Sequence, residues 1–333
     1  MSIERRPKVA DVAARAGVST ATVDRVLNGR GGVSPYTVAR VEDAMRDIAA
    51  IGSPAPIEDI LPCRVLLAGD GSAFVRSLST ELEAAFAIAG AAIEVSYVDR
   101  LDPAGLATGI ASSVAGGCKS LVVQAVDTAE VRKAIDDAAA AGVAVITVTS
   151  DVPNSRRHAY VGLDNRAAGR TAGLLMGRFC RNPGTLAMLW AGQLYRSHEE
   201  RESGFRSVLR ADRPDLKCLE VITGDYTPAR ARRLTEEVMT RNADLVGIYC
   251  IGGGISGVAE AVESSKGPLK PVLIGHNCNT DTQPHLLSGT IAALMHQDVE
   301  RIAANVLAAL LERAPISPRK AIRTEIITRE NLV

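Results

Sequence analysis

The hydrophobic pattern divides the chain into two parts with different periods. Up to residue 50, apolar residues recur every three to four positions, which is the helical period. Beyond residue 63, short continuous apolar runs alternate with amphipathic stretches of helix length. Between them lies a stretch with Pro54, Pro56 and Pro62 that fits neither pattern. The chain is therefore predicted to have a helical domain at 1–50, a Pro-rich linker at 51–63 and an α/β domain at 64–333.

Continuous apolar strands separated by helices are typical of parallel sheets that are covered on both faces. There are too many predicted strands for one sheet, so two doubly wound parallel sheets in two lobes are predicted. In such sheets, ligands bind beyond the carboxyl ends of the strands. The apolar runs that predict strands are Arg64–Ala68, Ile93–Val98, Leu121–Val126, Val143–Thr149, Leu186–Leu189, Leu219–Thr223, Leu245–Ile251, Pro271–Gly275 and Ile291–Met295.

The helical domain contains residues that mark the starts and ends of three short helices. Gly17 can adopt the positive φ that ends the first helix, and Ser19 is a natural N-cap for the second. Ser34 followed by Pro35 predicts the start of the third. Two helices joined by a Gly-containing turn and braced by a third form a helix-turn-helix. The predicted buried faces are Val9, Val12, Ala13 and Ala16; then Val23, Val26 and Leu27; then Val38, Val41, Met45 and Ile48.

The second helix of such a unit enters the DNA major groove with its first turns facing the bases. Thr20, Ala21 and Thr22 lie on those turns, and Arg25 follows one turn later, where it can reach guanine or phosphate. Residues 1–50 hold eight Lys and Arg against six Asp and Glu, a net charge of only +2, so useful affinity requires a dimer. A plain three-helix cap on the α/β domain is the alternative interpretation.

A long string closely resembles the DNA-binding head of LacI/GalR-family repressors. It reads Val9-Ala-Asp-Val-Ala-x-x-Ala-Gly-Val-Ser-x-x-Thr-Val-x-Arg-Val-Leu-Asn28. By this resemblance, Thr20 and Ala21 match the base-reading pair, and Arg25 and Asn28 match the recognition helix and the position after it. The DNA-binding residues expected are Lys8, Ser19, Thr20, Ala21, Thr22, Arg25 and Asn28. Asp24 departs from the family, which usually has Ser there.

The linker departs from the family more strongly. Family members continue into a hinge helix whose leucine wedges into the minor groove. Here three prolines oppose a regular helix over 51–62, and Glu58 and Asp59 would face phosphates. Ile60 and Leu61 are the only candidates for the side chain that would insert into the minor groove, here called the lever. The alternative is that ligand binding is coupled to DNA binding through the geometry of the dimer.

Composition narrows the class of protein. The chain of 333 residues is 47% apolar and 23% charged with a formal net charge of zero, as in ordinary globular proteins. The six cysteines are scattered without a C-x-x-C pair, which predicts free thiols rather than a zinc site or disulfides. The start lacks an apolar segment and no later run reaches membrane-spanning length, so a cytoplasmic protein without membrane contact is expected.

Residues 64–333 resemble the periplasmic sugar-binding-protein fold, particularly ribose-type binding proteins. The resemblance is closest from Thr149 to Gly173. It implies two lobes joined by three crossings, with the ligand in the cleft between them. The first lobe is expected at about 64–160 and 290–315, and the second at about 161–289 and 316–333.

Sugar hydroxyls are fixed by carboxylates, amides and Arg forks, with an aromatic face over the ring. Candidates of these types lie at the predicted strand ends, and Phe74 in the first loop is the stacking candidate. By the resemblance, Asp151, Arg201, Asn277 and His296 map onto sugar-contacting positions. The complete set of ligand-binding candidates is Asp151, Arg157, Arg201, Asn277, His296 (or its neighbour Gln297), Phe74, Gln124 and Asp127.

Each candidate has a structural alternative. Asp151 can cap a turn before Pro153, Arg157 can be a surface charge, and His296 can be a core histidine. Arg201 can pair with Glu200 or Glu237 on an exposed face. Asp164-Asn165 is expected to cap a helix, and Trp190 to lie in the core.

One motif suggests a different ligand. The stretch 252–257 fits the G-x-G-x-x-G dinucleotide fingerprint, but Asn277 stands where an acidic residue is needed after the next strand. A cleft loop with close backbone approach is preferred. No nucleophile motif or metal-ligand spacing is found, so neither an enzyme nor a cofactor or metal is expected. The two alternative functions considered are a cytosolic α/β enzyme acting on a sugar or nucleoside and a transport binding protein. The preferred interpretation is a homodimeric repressor that binds palindromic operator DNA under the control of a sugar or polyol.

Overall fold

The computed structural model describes residues 9–28, 30, 32–34, 37, 38, 40–42, 44, 45, 55–69, 71–99, 102–190, 195–223, 227–267, 270–312 and 322–332. None of the helices within these ranges is long and apolar enough to cross a membrane.

The head domain begins with α1 (Val9–Ala16) and α2 (Thr20–Leu27). Gly17 has φ 62°, so the left-handed residue that ends α1 lies where it was predicted. Ser19 Oγ accepts a hydrogen bond from Thr22 N at 3.1 Å and caps α2 as expected. Residues 37, 38, 40–42, 44 and 45 are helical, and Ser34 caps this third helix by accepting from the backbone N–H of Thr37 at 3.2 Å.

The three helices of the head share a small apolar core formed by Val12, Ala13, Ala16, Val23, Val41 and Ala44. Three residues expected in it lie outside, namely Val9, Leu27 and Val38, and Ile48 falls outside the described residues. Leu27 is 45% exposed and Val9 is 37% exposed, because each lies at an end of its helix, beyond the reach of the other helices. The three-helix arrangement is confirmed, while the prediction that Val9 and Leu27 are buried was wrong.

The described part of the α/β domain has twelve strands in two sheets, with helices packed against the sheets. The first sheet consists of β1 (Cys63–Ala68), β2 (Ile93–Val98), β3 (Ser120–Val123), β4 (Ala144–Val148) and β5 (Ala159–Val161). Its helices are α3 (Ala73–Ile88), α4 (Pro103–Ala115) and α5 (Ala129–Ala140).

The second sheet follows further along the chain. It consists of β6 (Gly184–Trp190), β7 (Leu216–Cys218), β8 (Ile222–Thr223), β9 (Leu245–Cys250), β10 (Val272–His276), β11 (Ile291–His296) and β12 (Glu325–Ile327). The helices that follow β5 are α6 (Asn165–Phe179), α7 (Arg196–Asp212), α8 (Pro228–Arg241), α9 (Ile255–Ser264), α10 (Gln283–Leu287) and α11 (Val299–Leu311).

Both sheets are doubly wound. The first has the order β2-β1-β3-β4-β5, and the second has the order β12-β11-β10-β9-β6-β7 with β8 also on β6. All described pairs are parallel except β11 with β12. The predicted fold class, two parallel-dominated sheets in two lobes after a helical head, is confirmed.

The chain changes lobes at three places, and one of them differs from the expected boundary. The stretch 290–315 was expected in the first lobe, but β11 pairs with β10 in the second sheet. The chain then crosses at Gln297 and Asp298, so only α11 of that stretch packs into the first-lobe core. The other crossings lie between β5 and α6 and after Ile322, which pairs with Leu163.

The linker is part of the first lobe rather than a free hinge. Residues Ile57–Asp59 form a single 3-10 turn. Ile60 is 5% exposed within the first-lobe core, and Leu61 packs against the same core. Ser120 Oγ donates to the Ile60 carbonyl at 2.7 Å. Ile60 is therefore not available as a DNA lever, because its side chain is already buried in the first-lobe core, whereas Leu61 is half-buried and its role stays a prediction. Residues 51–54 lie outside the described ranges.

Candidate ligand-binding cleft and nucleic-acid interface

A cavity of about 250 Å³ lies between the two lobes. Its walls are the carboxyl ends of strands and the first turns of helices, as expected for ligand sites in open parallel sheets. The first lobe contributes residues 71–75, Gln124 and Thr149. From the second lobe come mainly Tyr195, Ser197, His198, Arg201, Thr227, Gly252, Gly253, Gly254, His276, Asn277, Asn279, Asp281, Thr282 and Gln297. Four of the predicted ligand residues thus line this cavity: Phe74, Gln124, Arg201 and Asn277.

Arg201 supplies a fixed positive charge to the cleft. Its side chain is buried, with only 4% of the residue exposed. Nε donates to Asn165 Oδ1 at 2.9 Å and Nη1 donates to the Ile251 carbonyl at 2.9 Å. A Cβ on Gly169 would overlap the Arg201 backbone, so this glycine allows α6 and α7 to pack closely enough to place the guanidinium. The exposed ion pair with Glu200 or Glu237, which was the alternative, is not the arrangement found.

His276 and Tyr249 form a buried neutral pair beside the cleft. The Tyr249 hydroxyl lies 2.7 Å from His276 Nε2. Burial, followed by the positive charges of Arg201 and His198, holds the pKa of His276 well below its usual value. Burial also raises the pKa of Tyr249. Nδ1 of His276 is buried without a partner among the described residues. A buried imidazole nitrogen of this kind is ready to bond a ligand hydroxyl.

Three side-chain amides are oriented by bonds to the protein. Gln124 Oε1 accepts from the Ala68 N–H at 3.1 Å, which leaves its amino group to face the cavity. Asn277 has φ 65°, in the left-handed region that asparagine tolerates better than most residues. Its Oδ1 accepts from Gln297 Nε2 at 3.0 Å. Gln297 Oε1 is buried without a partner among the described residues. The cleft therefore offers both donors and acceptors, as hydroxyl groups require.

Four predicted ligand residues lie away from the cavity, engaged in bonds to the protein. Asp151 accepts from Thr147 Oγ1 at 3.0 Å and from the Val152 N–H at 2.7 Å, and it forms an ion pair with Arg157. Asp127 is paired with Arg132 at 2.6 Å. These carboxylates orient their own loops, so the assignments of Asp151, Arg157 and Asp127 to the ligand are not supported by their placement.

His296 also differs from its predicted role. Its Nδ1 accepts from the Cys278 N–H at 3.2 Å, and burial lowers its pKa. The side chain following it, Gln297, is the one that lines the cleft. This agrees with strand alternation, because successive residues at the end of β11 point to opposite faces. Trp190 lies in the core of the second lobe, as expected.

Several residues that line the cleft were not predicted from the sequence. His276 ends β10 directly before Asn277, so the strand-end rule that selected Asn277 was one residue from finding it. His198 and Tyr195 lie at the start of α7, after the β6 end, where no sequence motif singled them out. The Gly252–Gly254 loop lines the cleft as predicted, and Gly254 has φ 76°.

The exposed face of α2 is the candidate nucleic-acid interface. Thr20, Ala21 and Arg25 are exposed, and Thr22 is half-buried, with its hydroxyl 2.9 Å from Ser19 Oγ. Asn28 Nδ2 donates to Asp24 Oδ1 at 2.8 Å. Lys8 lies outside the described residues.

Asp24, the departure from the family pattern, has partners of its own. Besides Asn28, it is paired with Arg30 at 3.4 Å. These bonds neutralise part of the negative charge that α2 would present to phosphates. They also tie Asn28 to the helix end, so its role in DNA binding stays a prediction.

Two protein families match this architecture. The family described as "Periplasmic binding protein domain" matches residues 64–314, which is the two-lobed domain. The family described as "Bacterial regulatory proteins, lacI family" matches residues 8–49, which is the head. The chain therefore belongs to the periplasmic-binding-protein domain family and carries a lacI-family helix-turn-helix head.

The head is similar to that of the sucrose operon repressor of Lactococcus lactis subsp. lactis, with 48% identity over 48 residues. That match covers 14% of this chain and 15% of the repressor. The two-lobed domain is similar to GanP, a glucose-galactose binding protein from Geobacillus stearothermophilus. The identity is 22%, 81% of this chain and 98% of that chain are covered, and the TM-score is 0.72.

A solute-binding protein of an ABC transporter from Burkholderia graminis, in complex with D-arabinose, is similar at 20% identity. It covers 82% of this chain and 97% of its own, with a TM-score of 0.74. At these identities, both likenesses to solved structures establish the fold.

Proposed function

We propose that this protein is a DNA-binding transcriptional repressor whose operator affinity is controlled by a sugar or polyol. The observation that carries the proposal is the joining of a lacI-family head to a two-lobed domain with a polar interlobe cleft. The relatives' names agree with both halves, since one is a sucrose operon repressor and others bind monosaccharides. The two alternative functions, a cytosolic enzyme and a transport binding protein, do not account for the presence of a helix-turn-helix head.

The chemistry of the cleft favours a small hydroxylated ligand. A cavity of about 250 Å³ lies near the lower end of ligand-pocket sizes, roughly 300 Å³. The amides and the imidazole supply donors and acceptors and the guanidinium supplies donors, which suits a ligand with several hydroxyl groups. Phe74 supplies the apolar surface that a sugar ring face requires. The effector is therefore proposed to be a monosaccharide or a polyol of similar size.

The proposal includes a cytoplasmic homodimer on palindromic DNA. A single head carries only a small positive charge, and helix-turn-helix proteins commonly pair two heads on two half-sites. Closure of the cleft around the effector would change the relative placement of the two heads.

The DNA-binding half is tested with an operator selected from a pool of random duplexes. Arg25→Ala is expected to weaken binding about 5- to 150-fold, the loss of one good base or phosphate contact, and to flatten the dependence on salt. Arg241→Ala, an exposed arginine of α8 in the second lobe, is the control and should bind normally. Equal affinities of both variants in a gel-shift titration would remove α2 from the interface.

The effector half is tested by thermal shift with D-arabinose, D-glucose, D-galactose, D-tagatose, sucrose, inositols and linear polyols. A sugar at about a hundred times its Kd stabilises the folded state by about 2.7 kcal/mol. Gln124→Ala should reduce the shift, because its amino group faces the cleft. Lys270→Gln, on the exposed surface, should retain it. If no compound shifts the unfolding temperature, a sugar effector is rejected.

A further inference from the structure

The linker that follows the head is attached to one particular helix end. Ala55 is the first described residue after the head, and its N–H donates to the Leu311 carbonyl at 2.9 Å. Leu311 is the last residue of α11. The final carbonyls of a helix have no partner within the helix. The N–H of the linker therefore takes the place of a helical partner at the end of α11.

The other end of the same helix lies at the cleft. Gln297 precedes α11 by two residues, is only 2% exposed and lines the cavity. Its Nε2 is held by Asn277 of the second lobe, while Oε1 has no partner among the described residues. Asp298 caps α11 by accepting from the Arg301 N–H at 2.9 Å. A ligand that bonds Gln297 Oε1 would therefore act directly on the start of α11.

The helix between these ends is a single continuous element packed against the first-lobe core. It has 13 residues, which corresponds to a length of about 20 Å. Ile302, Val306 and Ala309 on one side are fully buried in the first-lobe core. The chain enters α11 from the second lobe, so any change of the angle between the lobes is imposed at its first turn. A packed helix passes such a displacement to its far end instead of absorbing it by bending.

We propose that α11 is the element that couples the cleft to the DNA-binding head. Effector binding at Gln297 and movement of the lobes shift α11, and the Ala55–Leu311 hydrogen bond passes the shift to the linker. This inference rests on the proposed function and names its route of regulation. It also gives a route to the head that does not need Ile60, which is buried in the first-lobe core, to insert into DNA.

Two substitutions at one position isolate the hydrogen bond. Ala55→Pro removes the donor N–H, and Ala55→Ser keeps it with a side chain of similar size. Position 55 stands between two prolines, so an additional proline fits the local chain. Both are made in the full-length protein and compared with the wild type for operator Kd with and without the sugar that gives the largest thermal shift.

The expected result is a specific loss of coupling. If the sugar changes the operator Kd of the wild type by a given factor, typically about 5- to 150-fold, that factor should fall to near one in Ala55→Pro and persist in Ala55→Ser. The sugar Kd should stay unchanged in both variants. If the sugar changed the operator Kd of Ala55→Pro by the same factor as in the wild type, the proposal would be overturned. A factor of one in the wild type itself would instead reject the proposed function.

A second measurement keeps the inference testable without a sugar and without a proline. Hydrogen exchange of the Ala55 amide reports the strength of its bond to Leu311. Gln297→Ala should change this exchange rate by at least about threefold, because it alters the start of α11. Gln124→Ala, the other glutamine that lines the cleft, should leave it unchanged. Equal rates in both variants would show that the two ends of α11 are not coupled.

Discussion

His276 and His296 are both kept neutral by burial, and this has a consequence for stability. Burial is the first cause of the lowered pKa of each, and for His276 the charges of Arg201 and His198 add to it. In the unfolded chain an imidazole takes up its proton at about pH 6.5. Between that pH and the lower pKa of the folded state, only the unfolded chain binds the proton, so acidification favours unfolding.

The free energy of unfolding is therefore expected to fall as the pH drops below about 6.5, by at most about 1.4 kcal/mol per pH unit for each such histidine. His276→Gln removes one of these groups and should make the unfolding temperature less sensitive to pH between about 7 and about 5.5. If the slopes of the wild type and of His276→Gln agree, the burial of His276 does not govern this dependence.

The cleft shows which side-chain roles a sequence can predict. Gln124, Arg201 and Asn277 were placed correctly on the cleft wall, because the strand-end rule depends only on chain order and topology. Asp151 was not, because a carboxylate at a strand end can also bond its own loop and a nearby arginine. The choice between those partners depends on distances of a few ångströms. For Asp151, its hydrogen bonds to Thr147 and Val152 and its pairing with Arg157 determined the outcome.

Among the elements, the linker turn differs most from what the sequence predicted. Ile60 is buried in the first-lobe core, with its carbonyl bonded to Ser120. Glu58 is fixed as well, since its carbonyl accepts from Lys119 Nζ at 3.0 Å. The turn at Ile57–Asp59 thus belongs to the folding unit of the first lobe.

Ile60→Ala should consequently behave as a core mutation. The expected loss is about 2–5 kcal/mol of unfolding free energy, as for other buried isoleucines cut back to alanine. Leu61→Ala, at a half-buried site, should cost less. Operator Kd, corrected for the folded fraction at low temperature, should be unchanged in both. If Ile60→Ala bound DNA more weakly while keeping normal stability, insertion of Ile60 into the minor groove would again have to be considered.

Element by element, the long apolar runs were predictable and the short edge strands were not. β1, β9 and β10 follow continuous apolar runs and were expected close to where they lie. β5 and β12 have only three residues each, and β12 is largely exposed, so neither has a hydrophobic pattern of its own. The lobe to which β11 belongs depends on its pairing with β10 and β12. Such long-range pairing has no local sequence signal.

At the scale of the whole molecule, the lobes touch beside the cleft as well as through the crossings. Ser197 N donates to Ser150 Oγ across the lobes at 3.3 Å. Arg196, the first residue of α7, pairs with Asp127 of the first lobe at 3.5 Å and with Glu200 of its own helix at 2.9 Å. Asp127, predicted to bind the ligand, instead joins the lobes. A contact of this kind contributes to ligand affinity by stabilising the arrangement in which both walls of the cleft face the ligand.

Arg196→Gln is therefore expected to weaken sugar binding about two- to fivefold, the equivalent of about 0.5–1 kcal/mol for a partly exposed ion pair. Binding should weaken because the substitution removes the ionic contact between the lobes, although Arg196 itself does not line the cavity. Arg206→Gln is the matched control, since Arg206 pairs with Glu202 at 2.6 Å one turn away on the same helix, entirely within the second lobe. The sugar Kd is measured by calorimetry and the radius of gyration by X-ray scattering, each with and without sugar. Arg196→Gln should show a larger radius than the control in the absence of sugar, and identical Kd values for the two variants would mean that the Arg196–Asp127 pair does not hold the cleft together.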